Sequence, residues 1–220
     1  MLRFPTRWML ALVCGLAVAA AGCRSATAPP ASPEQALYEQ FCAVCHGVEG
    51  RSIEGMTSTP HLSSQGLLTV VDDTFLTENI RRGRPGANGR DRAGTKMSVF
   101  AADLGGPLSS EQIASIVAYI RRWQTEPSIA LPAYRATGDP EAGRTVYEQC
   151  LACHMQDGWS TLAPSLAGQT LQQTASDAFI RHTVLGGRAG TTMPAFKLDE
   201  KQVGDLVTFV RSLYAPPDSP

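Results

Sequence analysis

Apolar residues recur every three or four positions in two stretches, residues 113–120 and 203–210, which is the spacing of one buried helix face. The apolar positions are Ile113, Ile116, Val117 and Ile120 in the first stretch and Val203, Leu206, Val207 and Val210 in the second. No segment shows the strict alternation of apolar and polar residues that a half-buried strand requires. The pattern therefore predicts an all-α fold.

Start signals predict where four of the helices begin. Ser32–Gln35 (SPEQ) offers an N-cap, a proline at the first helical position and a capping-box partner. Asp139–Glu141 (DPE) repeats that start in the second half of the chain. Ser109–Gln112 and Asp199–Gln202 resemble capping boxes, so a helix is expected to begin at each.

The second half of the chain repeats the first. The segment EQALYEQFCAVCH, which ends at His46, matches EAGRTVYEQCLACH, which ends at His154. Three further matches follow in the same order: Pro60–Leu62 with Pro164–Leu166, Asp73–Phe75 with Asp177–Phe179, and residues 92–100 with 188–196. Such self-similarity indicates two copies of one domain. We predict domain 1 over residues 34–126, a linker over 127–140, domain 2 over 141–215 and a tail over 216–220.

The N-terminus has the pattern of a bacterial export signal. A short basic stretch precedes an apolar run, Trp8–Ala21, which is too short for an ordinary membrane span. Ala20–Cys23 resembles a lipobox, although leucine is usual where Ala20 stands. We predict a lipoprotein-type signal peptide over residues 1–22, lipidation at Cys23 and a flexible, proline-rich tether over 23–33. The alternative is an ordinary signal peptide that leaves Cys23 as a free thiol.

Export and charge restrict the partners. An exported, lipidated chain is expected on the periplasmic side of a membrane, to which the lipid anchors it. The formal net charge of the whole chain is −1, from 19 basic and 20 acidic side chains. Nothing in this balance indicates binding to nucleic acid.

Two Cys-x-x-Cys-His motifs carry the chemistry of the chain. They comprise Cys42, Cys45 and His46 in domain 1 and Cys150, Cys153 and His154 in domain 2. The motif is the attachment signature of a c-type haem, in which two thiols form thioethers and the adjacent imidazole reaches the iron. We therefore predict two covalent haem c groups. A zinc site would leave a repeated methionine unexplained, a thioredoxin-like dithiol needs an α/β unit, and no cysteine is left over for a disulfide.

One methionine occurs in the same context in each domain, Met97 in GTKMSVF and Met193 in GTTMPAF. A methionine that recurs in this way is expected to be the second iron ligand. Met155 directly follows His154 and cannot easily turn to the other haem face. His182 lies in a predicted helix, where a half-buried packing role is more typical than ligation.

The order of helix, Cys-x-x-Cys-His, Pro-x-Leu, helix, Gly-rich loop with methionine and closing helix resembles the class I cytochrome c fold, twice, over nearly all of residues 34–215. The resemblance implies that Met56 and His61 lie on the histidine side of the haem, which makes them weak competitors as ligands. It implies the iron ligands His46 and Met97 in domain 1 and His154 and Met193 in domain 2. It also implies that the carbonyls of Pro60 and Pro164 accept hydrogen bonds from the ring Nδ1 of those histidines.

Ligation by histidine and methionine on both faces favours the ferrous state and leaves no vacancy for substrate. We therefore expect an electron carrier that works by outer-sphere transfer, and not an enzyme. Its partners would be a quinol-oxidising complex or dehydrogenase as donor and a terminal oxidase or reaction centre as acceptor. Three alternatives stay open: a cytochrome subunit of a respiratory or photosynthetic complex, a two-haem enzyme of the peroxidase or thiosulfate dehydrogenase type, and a redox or gas sensor.

The loop at residues 81–96 carries six basic residues and one acid, Asp91, whereas its counterpart in domain 2 has Arg188 as its single basic residue. Because Met97 follows this loop, the basic cluster is expected to border the first haem. There it could steer an acidic redox partner or shield the haem propionates. The alternative is a solvated Gly-rich loop.

Overall fold

The computed structural model describes residues 32–53, 59–84, 97–160 and 162–214. The predicted signal peptide, Cys23, Met56, residues 85–96 of the basic loop and the tail lie outside these ranges. Within them, no helix is both long enough and apolar enough to span a lipid bilayer.

Ten α-helices and two short 3₁₀ helices, Ala102–Leu104 and Glu148–Cys150, make up the regular structure of the described residues. No strand forms there, so the predicted all-α class is confirmed. In domain 1 the α-helices are α1 (Pro33–Phe41), α2 (Ala43–His46), α3 (Gln65–Leu68), α4 (Asp73–Arg82) and α5 (Ser110–Arg121). In domain 2 they are α6 (Pro140–Tyr147), α7 (Leu151–His154), α8 (Gln169–Thr174), α9 (Asp177–Gly186) and α10 (Glu200–Ser212).

The predicted helix starts are confirmed. The Ser32 hydroxyl accepts a hydrogen bond from the Gln35 amide at the start of α1. The Asp139 carboxylate accepts a hydrogen bond from the Glu141 amide at the start of α6, and Pro140 occupies the first turn of that helix. Complete capping boxes, in which the cap and the third helical residue bond reciprocally, begin α5 and α10. These bonds satisfy amide groups that a helix leaves without internal partners.

The opening and closing helices of each domain pack together in different ways. In domain 1, α1 meets α5 through Tyr38, Tyr119 and Trp123, whose ring centroids lie 5.1 to 5.3 Å apart. In domain 2, the ring centroids of Tyr147 in α6 and Phe209 in α10 lie 5.0 Å apart. The two helices also cross closely at Gly143, where an added Cβ would lie 2.0 Å from the carbonyl oxygen of Asp205. Only glycine permits so close an approach.

A one-residue difference between the copies is absorbed just before each Cys-x-x-Cys-His motif. Tyr38 stands four residues before Cys42, but Tyr147 stands three before Cys150. In domain 2 the chain tightens into a 3₁₀ turn over Glu148–Cys150, whereas α1 continues as an α-helix. Both tyrosine hydroxyls still donate, at 2.8 Å, to the carbonyl of the residue that follows the motif histidine.

The predicted linker lies against both domains. The Ile129 amide donates to the Thr69 carbonyl of domain 1 at 2.7 Å. Further along, the Ala136 amide donates to a carboxylate oxygen of Asp177 in domain 2 at 2.9 Å. The connection is therefore held at both ends by hydrogen bonds, although most of its side chains are exposed.

Candidate haem-binding sites

The cysteines of each motif lie at the start and in the middle of one helical turn. Cys42 is buried, Cys150 is half-buried, and Cys45 and Cys153 are exposed. Burial raises the pKa of the Cys42 thiol to about 12 and also raises the pKa of Cys150. A redox-active dithiol depends on a lowered thiol pKa, so this environment disfavours the thioredoxin-like alternative.

Each motif histidine is buried at the end of its helix and bonded through one ring nitrogen. Nδ1 of His46 lies 3.2 Å from the carbonyl oxygen of Pro60, and Nδ1 of His154 lies 3.1 Å from that of Pro164. A carbonyl can only accept, so Nδ1 carries the proton. Burial lowers the pKa of both imidazoles despite these bonds. The rings are therefore neutral at pH 7, and the lone pair of Nε2 is available to a metal.

The two repeated methionines are anchored through their backbone. The Arg84 amide donates to the Met97 carbonyl at 2.7 Å, and the Arg188 amide donates to the Met193 carbonyl at 3.1 Å. In each domain the arginine follows a glycine that ends α4 or α9 with a positive φ, 61° at Gly83 and 66° at its counterpart. Both methionine side chains are half-buried against the hydrophobic core. The structure thus places the two methionines equivalently in the two domains.

The competing ligands occupy other kinds of position. His61 is exposed, and His182 is half-buried on α9, as expected for a packing residue. Met155 has a φ of 61° and ends α7, where its carbonyl accepts the bond from Tyr147. In the described part of the chain, no three His, Cys, Asp or Glu side chains converge in a way that could hold a bare metal ion.

The sequence interpretation missed an arginine that clamps domain 1. Arg121, near the end of α5, donates to the carbonyls of Leu68 and Val71 at 2.6 Å each. Its Nε also bonds the Asp73 carboxylate at the start of α4 at 2.7 Å. The closing helix is therefore tied to the segment that joins α3 to α4.

Arg211 repeats this clamp in domain 2. It donates to the carbonyls of Gln172 and Ala175 and bonds Asp177 at 2.7 Å. The signal in the sequence was the recurrence of one arginine and one aspartate at matching places in the two copies.

The basic loop is described only at its beginning. Arg81 pairs with Glu78 and Asp103, and Arg82 also pairs with Glu78. The backbone of Arg84 lies beside Met97, but its side chain lines a cavity with residues of domain 2. These three arginines therefore do not form a free basic surface at the first haem site.

The donor set fits haem c. Two thiols lie on one turn of chain, the neighbouring neutral histidine has a free Nε2, and a conformationally anchored methionine follows in the same domain. The fold and the paired sites together define a duplicated, all-α protein of the haem-binding kind.

Comparison with known proteins agrees with this class. The cytochrome c family matches residues 34–124 and 140–214, so the chain belongs to that family, whose domains bind haem c covalently. The chain is 29% identical over 191 residues to the "Cbb3-type cytochrome c oxidase subunit CcoP" of Azospirillum brasilense. That match covers 81% of this chain but 60% of the relative.

The fold is also similar to a chain in the reducing HAO-like protein complex of Kuenenia stuttgartiensis. The TM-score is 0.51 at 21% identity, with 84% of this chain and 97% of that chain covered. At this identity the likeness concerns the fold alone. The two segments that match the cytochrome c family show the two tandem domains.

Proposed function

We propose that the chain is an electron carrier with one covalent haem c in each domain. Its thioether cysteines would be Cys42, Cys45, Cys150 and Cys153, and its iron ligands His46 with Met97 and His154 with Met193. The observation that carries the proposal is the repetition, in both domains, of a neutral histidine bonded to a proline carbonyl and a methionine anchored after a helix.

Haem supplies a one-electron iron couple when bound. The residues of the chain determine how that couple behaves. The bond from Nδ1 to the proline carbonyl orients each imidazole and increases its basicity, while the methionine thioether favours the ferrous state. With a histidine and a methionine as ligands, the iron would have no position left for a substrate. The function is therefore outer-sphere electron transfer and not catalysis.

The proposal includes export and anchoring. The signal peptide at residues 1–22 directs the chain to the periplasmic side, and lipid on Cys23 attaches it to a membrane. The donor is then a quinol-oxidising complex or dehydrogenase, and the acceptor is a terminal oxidase or reaction centre. A Cys23→Ser variant should move the holoprotein from the membrane fraction to the soluble fraction. Continued membrane association would contradict the lipid anchor.

Optical and low-temperature EPR spectra of the ferric holoprotein test the carrier function. We expect two low-spin haems, the methionine-to-iron charge-transfer band and no binding of cyanide or peroxide at modest concentrations. A high-spin or readily ligated haem would favour the two-haem enzyme instead. Met97→Ala and Met193→Ala serve as matched controls, because each should open one iron to cyanide.

A second candidate, a cytochrome subunit of a respiratory complex, is favoured by one surface. Three apolar side chains around the first motif are exposed, Val44 by 67%, Val48 by 54% and Ile53 by 42%. The matching residues of domain 2 are smaller or polar, Ala152 and Gln156 among them. The similarity to an oxidase subunit points the same way. Native gels of gently solubilised membranes, stained for haem, distinguish a carrier that migrates alone from a subunit that migrates with a large complex.

A further inference from the structure

The two domains meet through equivalent elements. Phe75 in α4 and Phe179 at the same place in α9 have ring centroids 5.3 Å apart. The hydroxyl of Thr170 in domain 2 donates to the carbonyl of Gly83 in domain 1 at 2.7 Å. This interface brings the end of α4 against the segment that follows Pro164 in the second haem site.

Arg84 enters domain 2 at this interface. Its side chain lines a small cavity whose other described walls belong to domain 2, namely Trp159, Ser165, Gly168, Gln169, Thr170 and Leu171. Its Nη2 is shielded from solvent and has no hydrogen-bond partner among the described residues. A buried polar atom of this kind marks a place where a partner is missing.

The charge around Arg84 is also uncompensated. The nearby Arg188, its equivalent in domain 2, carries a like charge that repels it. Arg188 is itself enclosed, with its guanidinium carbon 5.3 Å from the ring centroid of Phe179. Neither arginine has a carboxylate partner in the parts of the chain that the structure describes. Arg84 is half-buried as a whole, but its Nη2 is shielded from solvent, and a cation in such a place without a partner is unfavourable, so the cavity favours an anion.

We propose that Arg84 of domain 1 binds a propionate carboxylate of the haem carried by domain 2. A planar guanidinium matches a carboxylate in shape and charge. The second haem is the one concerned because Ser165, in the cavity wall, directly follows Pro164, whose carbonyl orients His154. The inference rests on the proposed function, since it requires a haem in domain 2.

The consequence is that one domain tunes the haem of the other. A positive charge beside the propionate offsets negative charge near the second iron and thereby favours its ferrous state. Without Arg84 the carboxylate charge would stabilise the ferric state.

Redox titration of the holoprotein, followed optically, tests this. In Arg84→Gln the reduction equilibrium of the second haem should shift about tenfold toward the ferric form, which is about 59 mV for one electron. Arg82→Gln, which removes an exposed arginine paired with Glu78, should change it less than about twofold. Met193→His lowers the reduction potential of the haem in domain 2. Repeating the titrations with this variant therefore identifies which redox transition belongs to that haem. An unshifted second couple, or a shift confined to domain 1, would overturn the proposal.

Arg84→Lys guards against a variant that fails to fold. It keeps the charge but not the planar fork, so the second couple should shift less than in Arg84→Gln. The propionate carboxylate bands in redox-difference infrared spectra should still move relative to the wild type, and unmoved bands would contradict the ion pair.

The wild-type ferric spectrum separates the two proposals. A high-spin second haem defeats the proposed function, whereas low-spin His/Met haems with an unshifted couple defeat only the role of Arg84.

Discussion

Helices α1 and α5 of domain 1 meet through three aromatic rings. In domain 2, α6 and α10 meet through two rings, Tyr147 and Phe209, and through a close backbone crossing at Gly143. The arginine clamps show a second contrast. Asp73 in the first clamp keeps 72% of its side chain exposed, whereas Asp177 in the second keeps 16%. Part of that cover comes from the linker, whose Ala136 amide bonds Asp177. The same histidine and methionine positions are thus supported by packing of different kinds, which gives the domains different points of weakness.

The largest effect is expected at the helix crossing of domain 2. In Gly143→Ala the new Cβ would lie 2.0 Å from the Asp205 carbonyl oxygen, so α6 and α10 must move apart. We expect the free energy of unfolding of the holoprotein to fall by about 3 kcal/mol or more. Urea unfolding followed by circular dichroism measures it. Gly186→Ala is the control, because nothing lies within 4 Å of its new Cβ; equal losses in both variants would refute the crossing argument.

The clamps should differ when each arginine is replaced by methionine, which retains an apolar stem. Arg211→Met leaves the enclosed Asp177 carboxylate without its cation and should cost about 3 kcal/mol of unfolding free energy. Arg121→Met leaves the exposed Asp73 to water and should cost about 1.5 kcal/mol, mainly through two unpaired carbonyls. The same urea experiment measures both. If the two losses are equal, exposure of the carboxylate does not control the strength of the clamp.

A smaller effect of opposite sign is expected after the second motif. Met155 has φ 61° and ψ 164°, a region that suits glycine, and its equivalent in domain 1 is Gly47 with φ 71° and ψ 156°. Met155→Gly should therefore raise the unfolding free energy by about 1 kcal/mol. Thermal unfolding provides the measurement. Gly47→Ala is the converse test, since its Cβ would meet the Arg51 carbonyl oxygen at 2.4 Å, and a gain there would contradict this account.

The smallest effect is a pH dependence of domain 2. Burial alone would raise the pKa of Asp177, but the Ala136 amide and the Arg211 guanidinium outweigh it and hold that pKa below its ordinary value of 3.8. The unfolded chain therefore takes up this proton first, and stability present above pH 3.8 is lost as the pH falls through the folded-state pKa. We expect Asp177→Asn to remove under about 1 kcal/mol of the difference in stability between pH 5 and pH 3. Identical pH profiles for variant and wild type would speak against it.

Local patterns predicted the helices and their caps well, because an N-cap such as Ser109 and a partner such as Gln112 are three residues apart. The sequence repeat likewise identified the candidate histidine and methionine ligands, because each occurs in the same context in both domains. The clamps depend on contacts across 48 residues, from Arg121 to Asp73, and 34 residues, from Arg211 to Asp177. The spacing of apolar residues along the sequence does not predict pairs that are this far apart.

Arg84 shows the same limit more sharply. In the sequence it is one of several basic residues in a Gly-rich loop, and solvent is the natural expectation for it. The shielding of its Nη2 results from the docking of a second folded domain, which only tertiary structure reveals.

The contact between Phe75 and Phe179 has a further consequence. A residue that touches its own counterpart in another copy is the mark of an isologous interface, the kind on which two-fold homodimers are built. Two identical subunits joined in this way must offer identical environments at their two sites. When one polypeptide contains both copies, this constraint no longer applies. The two domains can then diverge in packing, surface and charge while the interface is kept. The tandem chain therefore keeps the interface of a symmetric dimer, while its two sites can differ from one another.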